Sequence, residues 1–193
     1  MSRCPWPGND PLMISYHDSE WGVPLHDDRA LFEFLVLDGF QAGLSWKSVL
    51  HKRDAFRRAF DGFDPEIVVR FSENQVERLL QDPGIIRNRA KVRDAVTNAR
   101  AFLDARDEFG SFDRFIWRFT RGRPLVNRWE YLSQIPARSE ESDLMARELV
   151  QRRFKFVGSV TCYAFMQATG MVNDHLVSCP RWVEVQDAGP LPE

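Results

Sequence analysis

The chain has 193 residues, 44% hydrophobic and 28% charged, with a formal net charge of −2. That profile fits one globular domain, or one domain in two lobes, and excludes disordered and collagen-like chains. No apolar run of about 18 residues is present, so no membrane span is expected, and the N-terminus lacks the apolar core of a signal peptide. The 3 cysteines are an odd number, which speaks against a closed disulfide framework and for a reducing cytoplasm.

Taken in chain order, the pattern is helical. "DDRALFEFLVLDGF" spaces Leu31, Phe34 and Leu35 at helical intervals and predicts a buried helix ending near Gly39. "SWKSVLHKRDAFRRAF" repeats Trp46, Val49, Leu50, Phe56 and Phe60 with basic residues between them. "SENQVERLLQD" opens on Ser72 with Gln75 three residues later, a capping-box pattern. "RNRAKVRDAVTNARAFLDARDEF" is the longest periodic segment, followed by the amphipathic "SEESDLMARELVQRR". "VGSVTCYAFMQATG" reads as a buried helix stopped by glycine. Alternating strand patterns are absent, so the fold class is all-α, one domain over residues 1–180. Residues 181–193 read as a loosely held tail.

Charge is unevenly spread. Residues 1–40 hold 2 basic and 7 acidic side chains, residues 41–128 hold 18 and 12, and residues 129–193 hold 6 and 9. Arg supplies 22 of the 26 cations, and its planar fork suits phosphate. Arg-rich coding and solvated helix faces produce the same bias.

Soft metal ligands sit at the two ends. Cys4 and His17 lie near the start, and His175 and Cys179 stand at i and i+4 near the end. Together they form a Cys2His2 set of the kind that holds one structural zinc. Scattered thiols and surface histidines are the bland alternative. Cys162, in an apolar run, reads as a core thiol.

"VERLLQDPGIIRNRAKVRDAV" joins two helical patterns through a Pro-Gly turn. Gly84 and Ile86 in that turn, with Arg87, Arg89 and Lys91 after it, suit a DNA backbone held without sequence reading. The segment resembles a helix-hairpin-helix motif, although Ile86 stands where its second glycine is usual. An ordinary helical turn with exposed charges gives the same pattern.

Trp6, Trp21, Trp46 and Tyr16 crowd the N-terminal third. Asp38 ends an apolar helix, and "FQAGLSW" offers a Gly43–Leu44 tip. Base-handling enzymes need such parts: aromatics that stack an extruded base, a polar reader and a wedge.

The stretches "DPLMISYHDSEWGVP", "LFEFLVLDGFQAGLSW", "QDPGIIRNRAKV" and "FKFVGSVTCYAFMQATGMVNDHLVSC" run in order over nearly the whole chain. They resemble the 3-methyladenine DNA glycosylase I family of bacterial alkylation-repair enzymes. The resemblance implies an all-α helix-hairpin-helix glycosylase fold and one structural zinc on Cys4, His17, His175 and Cys179. It implies a base pocket in which Trp46 stacks and Tyr16 is a polar contact, with Trp6, Trp21 and Met13 around them. Asp38 takes the place of the family's pocket glutamate, Met13 that of a common tyrosine, and Phe40 that of a polar residue. Leu44 maps onto the wedge. Double-stranded alkylated DNA is the implied partner, free 3-methyladenine the product, and a monomer is expected. With 4 lysines in the chain and none marked as a Schiff-base former, a monofunctional enzyme is expected. The shortened acid leaves two alternatives, a non-catalytic binder of alkylated DNA and a glycosylase of shifted base preference. A zinc hydrolase would need three ligands and an open position, whereas four ligands are on offer.

Overall fold

The structure, a computed structural model, describes residues 2–186. Eleven α-helices make up nearly all of its regular structure: α1 Pro11–Ser19, α2 Asp28–Gln41, α3 Trp46–Leu50, α4 Arg53–Ala59, α5 Pro65–Val68, α6 Glu73–Leu79, α7 Arg89–Phe109, α8 Phe112–Trp117, α9 Glu140–Gln151, α10 Ser159–Ala168 and α11 Arg181–Glu184. Most begin on a short polar side chain that satisfies an otherwise orphaned amide. Asp10 caps α1, Asp27 α2, Ser45 α3, Asn88 α7 and Ser139 α9. The expected Ser72–Gln75 capping box forms at α6.

Helix α2 is the axis of the molecule. Leu31, Phe32, Phe34–Leu37 and Phe40 are all buried, and it packs against α3, α7, α8 and α10. Phe40 stacks into Phe56 at 4.7 Å between ring centroids and lies 6.1 Å from Phe60. It is therefore core, remote from any polar task. Helices α9 and α10 form the tightest helix pair, joined by residues 152–158.

Four expectations need correction. "SWKSVLHKRDAFRRAF" forms two short helices, α3 and α4, because the chain breaks at His51 and Lys52. Helix α1 was not expected, although Asp10 before Pro11 is a cap followed by the preferred first helical residue. A two-residue parallel ladder, β1 Leu125–Val126 on β2 Val172–Asn173, stands beside the helices. The tail is held through Gln186: α11 follows Pro180, Trp182 Nε1 donates to the Asn127 carbonyl at 2.7 Å, and Val185 is buried. Residues 187–193 lie outside the described part. No described helix is long and apolar enough to cross a membrane.

Candidate functional site

Between α1, α2, α3 and α10 lies a cavity of about 340 Å³. Its wall comprises Trp6, Tyr16, Trp21, Asp38, Gln41, Trp46, Leu132, Ile135, Ala164, Gln167 and Ala168. Small-molecule sites begin at about 300 Å³, so a single purine is well within its capacity. Tyr16 sits 5.2 Å from Trp46, and Trp6 meets Trp21 edge-on at 5.0 Å, between centroids. Three buried polar atoms of the lining residues have no hydrogen-bond partner among the described residues: Trp6 Nε1, Asp38 Oδ2 and Trp46 Nε1. Burial without a partner costs each of them about 1–3 kcal/mol. Their convergence on one cavity marks the place of a polar, flat ligand.

Asp38 is 3% exposed. Burial pushes its carboxyl well above the ordinary value, with Arg53 pulling the other way. Arg53 is itself held by Glu33 and Glu20 and lies 4.9 Å over the Phe34 ring. Tyr16 is likewise pushed up, by burial first and then by Asp38, so it remains a phenol. Met13 is buried but not on the wall; it belongs to the core under α1. Gln41, Leu132, Ile135, Ala164, Gln167 and Ala168 were not foreseen. Ala164, Gln167 and Ala168 follow the i, i+3, i+4 rule on one face of α10, a signal available in "CYAFMQA". No lysine is on the wall: Lys47 pairs with Asp10, and Lys52 and Lys91 bond backbone carbonyls.

Next to the cavity, Cys4, His17, His175 and Cys179 bring four ligand atoms within 4.8 Å of one another, all buried. Cys4 Sγ lies 3.8 Å from His175 Nδ1, and Cys179 Sγ lies 3.8 Å from His17 Nε2 and 3.9 Å from His175 Nδ1. A tetrahedron with ordinary zinc bond lengths puts sulfur and nitrogen about 3.6 Å apart. The outer ring nitrogens are committed. His175 Nε2 donates to the Trp21 carbonyl at 3.0 Å, and His17 Nδ1 to Asp18 Oδ1 at 2.7 Å. Each inner nitrogen is then a lone pair. Burial lowers both imidazoles, His175 to about 4, so both stay neutral. Burial also pushes the Cys4 thiol up to about 12, so a cation is needed to hold its thiolate. Arg3 grips Asp18 through two bonds of 2.7 and 2.6 Å. At Gly22, φ is +80° and any Cβ would lie 2.9 Å from His175 Nε2, so glycine alone fits.

The hairpin expected to hold DNA differs from expectation, and a second hairpin, not anticipated, lies between α9 and α10. In the one at 82–87, the Gly84 amide is bonded to Asp82 Oδ1 at 2.7 Å, and Ile86 packs on the core. Arg89 forms a bidentate pair with Glu77. Lys91 is turned inward, donating to the Phe40 and Ala42 carbonyls at 2.8 and 2.6 Å, where it caps the end of α2. Of these three cations, Arg87 alone is exposed without an ion-pair partner among the described residues. The hairpin between α9 and α10 is the opposite case. α10 has no side-chain cap at Gly158, and the amides of residues 156–161 find no acceptor among the described residues. Arg153 and Phe156 adopt left-handed φ of +71° and +54°, and the buried Asn98 clamps the Lys155 backbone through bonds of 2.7 and 3.1 Å. A run of amide donors without acceptors is the ordinary form of an anion cradle. Leu44 is 45% exposed at the tip of the α2–α3 loop, after Gly43 in a left-handed turn.

Residues 6–182 match the methyladenine glycosylase family. The chain is 49% identical to DNA-3-methyladenine glycosylase 1 of Escherichia coli (strain K12) over 179 residues, 93% of this chain and 96% of that one. A crystal structure of 3-methyladenine DNA glycosylase I aligns at a TM-score of 0.91 and 49% identity, over 93% of this chain and 98% of that one. A variant of 3-methyladenine DNA glycosylase I in complex with 3-methyladenine aligns at 0.90 and 35% identity, over 93% and 97%. At this identity and coverage the chain belongs to the methyladenine glycosylase family.

Proposed function

We infer that this chain is a base-excision repair glycosylase that hydrolyses the bond between 3-methyladenine and its sugar in alkylated DNA. The observation that carries the reading is the aromatic cavity whose lining residues include one buried carboxylate, Asp38, and the indoles of Trp6 and Trp46, each with a polar atom left unpartnered among the described residues. An N3-methylated adenine is cationic while attached to the sugar. Trp46 and Tyr16 can stack on it, and cation–π attraction favours it over neutral adenine by about 0.5–2 kcal/mol. A cation beside Asp38 reverses the effect of burial and draws the carboxyl into its ionised form. Asp38 then holds the lesion by a charge-assisted bond that uncharged adenine does not call up.

In the reaction the C1′–N9 bond breaks and its electron pair neutralises the departing base. Water adds to C1′ and loses a proton to solvent. The base leaves neutral, so no acid is needed, and the absence of lysine from the wall fits release without a Schiff base.

Zinc fits the four-ligand cluster, with Cys4 and Cys179 as thiolates and His17 and His175 as neutral donors. Four ligands leave no open position, so the metal's part is to fasten residues near the two ends. Duplex DNA fits the face that carries Leu44 and the amides of residues 156–161. The decisive experiment incubates the chain with methylated duplex DNA and measures free base. Release of 3-methyladenine supports the reading; tight binding without release replaces it with a non-catalytic lesion binder.

A further inference from the structure

Gln167, on the cavity wall, is held by the buried Asp174. Asp174 is 1% exposed and accepts four hydrogen bonds. Oδ1 receives Asn127 Nδ2 and Trp129 Nε1, both at 2.7 Å. Oδ2 receives the Tyr163 hydroxyl at 2.8 Å and Gln167 Nε2 at 2.7 Å. An indole N–H only donates, and the Tyr163 hydroxyl has no other acceptor among the described residues, so both Asp174 oxygens are acceptors. The Gln167 amide therefore has one orientation: its NH2 faces Asp174, and turning it over would set carbonyl against carboxylate. Its Oε1 is left without a partner among the described residues, on a side chain that lines the cavity beside Ala164 and Ala168.

We propose that Gln167, locked by Asp174, is a specificity-determining residue that presents a fixed acceptor to the 6-position of the extruded purine. The inference rests on the glycosylase reading above. A 6-amino group offers two N–H donors, enough for Gln167 Oε1 and Asp38 together. A 6-oxo group offers only lone pairs, so the guanine counterpart methylated at the same nitrogen meets repulsion it cannot escape by an amide flip. Discrimination by an unpaired buried polar group is stronger than discrimination by shape. Asp174 is a positioning residue, acting through Gln167.

The test uses duplex DNA methylated so that it carries both 3-methyladenine and 3-methylguanine, and reads the ratio of their release rates. Gln167→Met removes the acceptor at constant length, and the ratio should fall about tenfold. Asp174→Asn offers an NH2 to Gln167, whose amide then turns its own NH2 to the base, and the ratio should fall at least as far. A merely structural loss lowers both rates and leaves the ratio in place. Melting curves identify which variants fold; should Gln167→Met fail, the near-isosteric Asp174→Asn carries the test. A ratio within about twofold of wild type in a folded variant overturns the proposal. A wild type that releases neither base overturns the glycosylase reading instead.

Discussion

Replacing Asp38 with asparagine separates what the carboxylate does for the lesion from what it costs the fold. Asp38 is the one acid on the cavity wall among the described residues, and its Oδ2 is buried without a partner. Asparagine keeps the shape and deletes the charge that the cationic base calls up. A hydrogen bond to a charged group contributes about 1.5–3 kcal/mol. At about 1.4 kcal/mol per decade, kcat/KM for 3-methyladenine release should fall roughly 10- to 150-fold. Stability should move the other way, with a defined pH dependence. The folded Asp38 carboxyl is raised by burial, so the native state keeps a proton that the unfolded chain has lost. Native protons in excess make stability fall as pH rises, starting near the unfolded carboxyl value of about 3.9. Asp38→Asn escapes that loss. Its Tm should match wild type near pH 4 and exceed it increasingly as pH rises toward neutrality. Melting curves at several pH values and single-turnover excision on methylated DNA check both halves. Equal excision by variant and wild type would refute the role in lesion binding, and a Tm difference independent of pH would refute the burial argument.

Elemental analysis should find one zinc per chain, and a strong chelator, Cys4→Ser or His175→Ala should each lower Tm by well over the few degrees expected of a surface change. Gly158→Asp should leave Tm level or slightly raised, because the position has open space and an extended backbone and Asp is a good cap. The same variant should weaken duplex binding about tenfold or more, since its carboxylate would occupy the amides offered to phosphate. Lys91→Met should lower Tm by leaving the Phe40 and Ala42 carbonyls unpaired, with the salt dependence of DNA binding unchanged. Trp46→Ala should weaken free 3-methyladenine binding, whereas Leu44→Ala, off the cavity wall, should weaken lesion-DNA binding alone; equal loss of free-base affinity in both would remove the division of roles.

What the sequence made legible was what local pattern and residue chemistry dictate. The Ser72–Gln75 capping box and the buried run of α2 needed only spacing, whereas the Cys2His2 set was a candidate from ligand type and was singled out by the family resemblance. Lys91 reads as a phosphate ligand in one dimension because it follows a Pro-Gly turn. Its inward turn depends on the free carbonyls at the end of α2, about 50 residues away in the chain. The amides at residues 156–161 were equally hidden. Their importance lies in what is missing, a capping side chain, and in a left-handed Phe156 that no propensity scale anticipates. Leu132 and Ile135 reach the cavity from a single 3-10 turn, Leu132–Gln134, which is too short to carry a periodic signal.

The soft ligands cluster at both ends because the base cavity is built from the same segments. On α1, Tyr16 turns into the cavity while the next residue, His17, turns into the ligand cluster. Trp21 gives its ring to the cavity wall and its carbonyl to His175 Nε2. Trp6 and Ile135 line the cavity and also pack on Cys4, Leu176 and Cys179. The Trp129 carbonyl accepts the Val177 amide at 2.9 Å, tying the segment with Leu132 and Ile135 to the turn between His175 and Cys179. An isolated nine-residue helix such as α1 is marginal in water, and its ends would fray without an anchor. On the proposed reading, a metal on residues 4, 17, 175 and 179 would remove that freedom from the N-terminal segment, which carries Trp6, Tyr16 and Trp21 of the aromatic wall. A site that must stack a flat cation cannot let its walls move by much, because dispersion and cation–π attraction both weaken steeply with distance. A metal at these ligands would hold Trp6, Tyr16 and Trp21 still, and its removal should relax the cavity before it unfolds the α7–α8 core, which none of the four ligands belongs to.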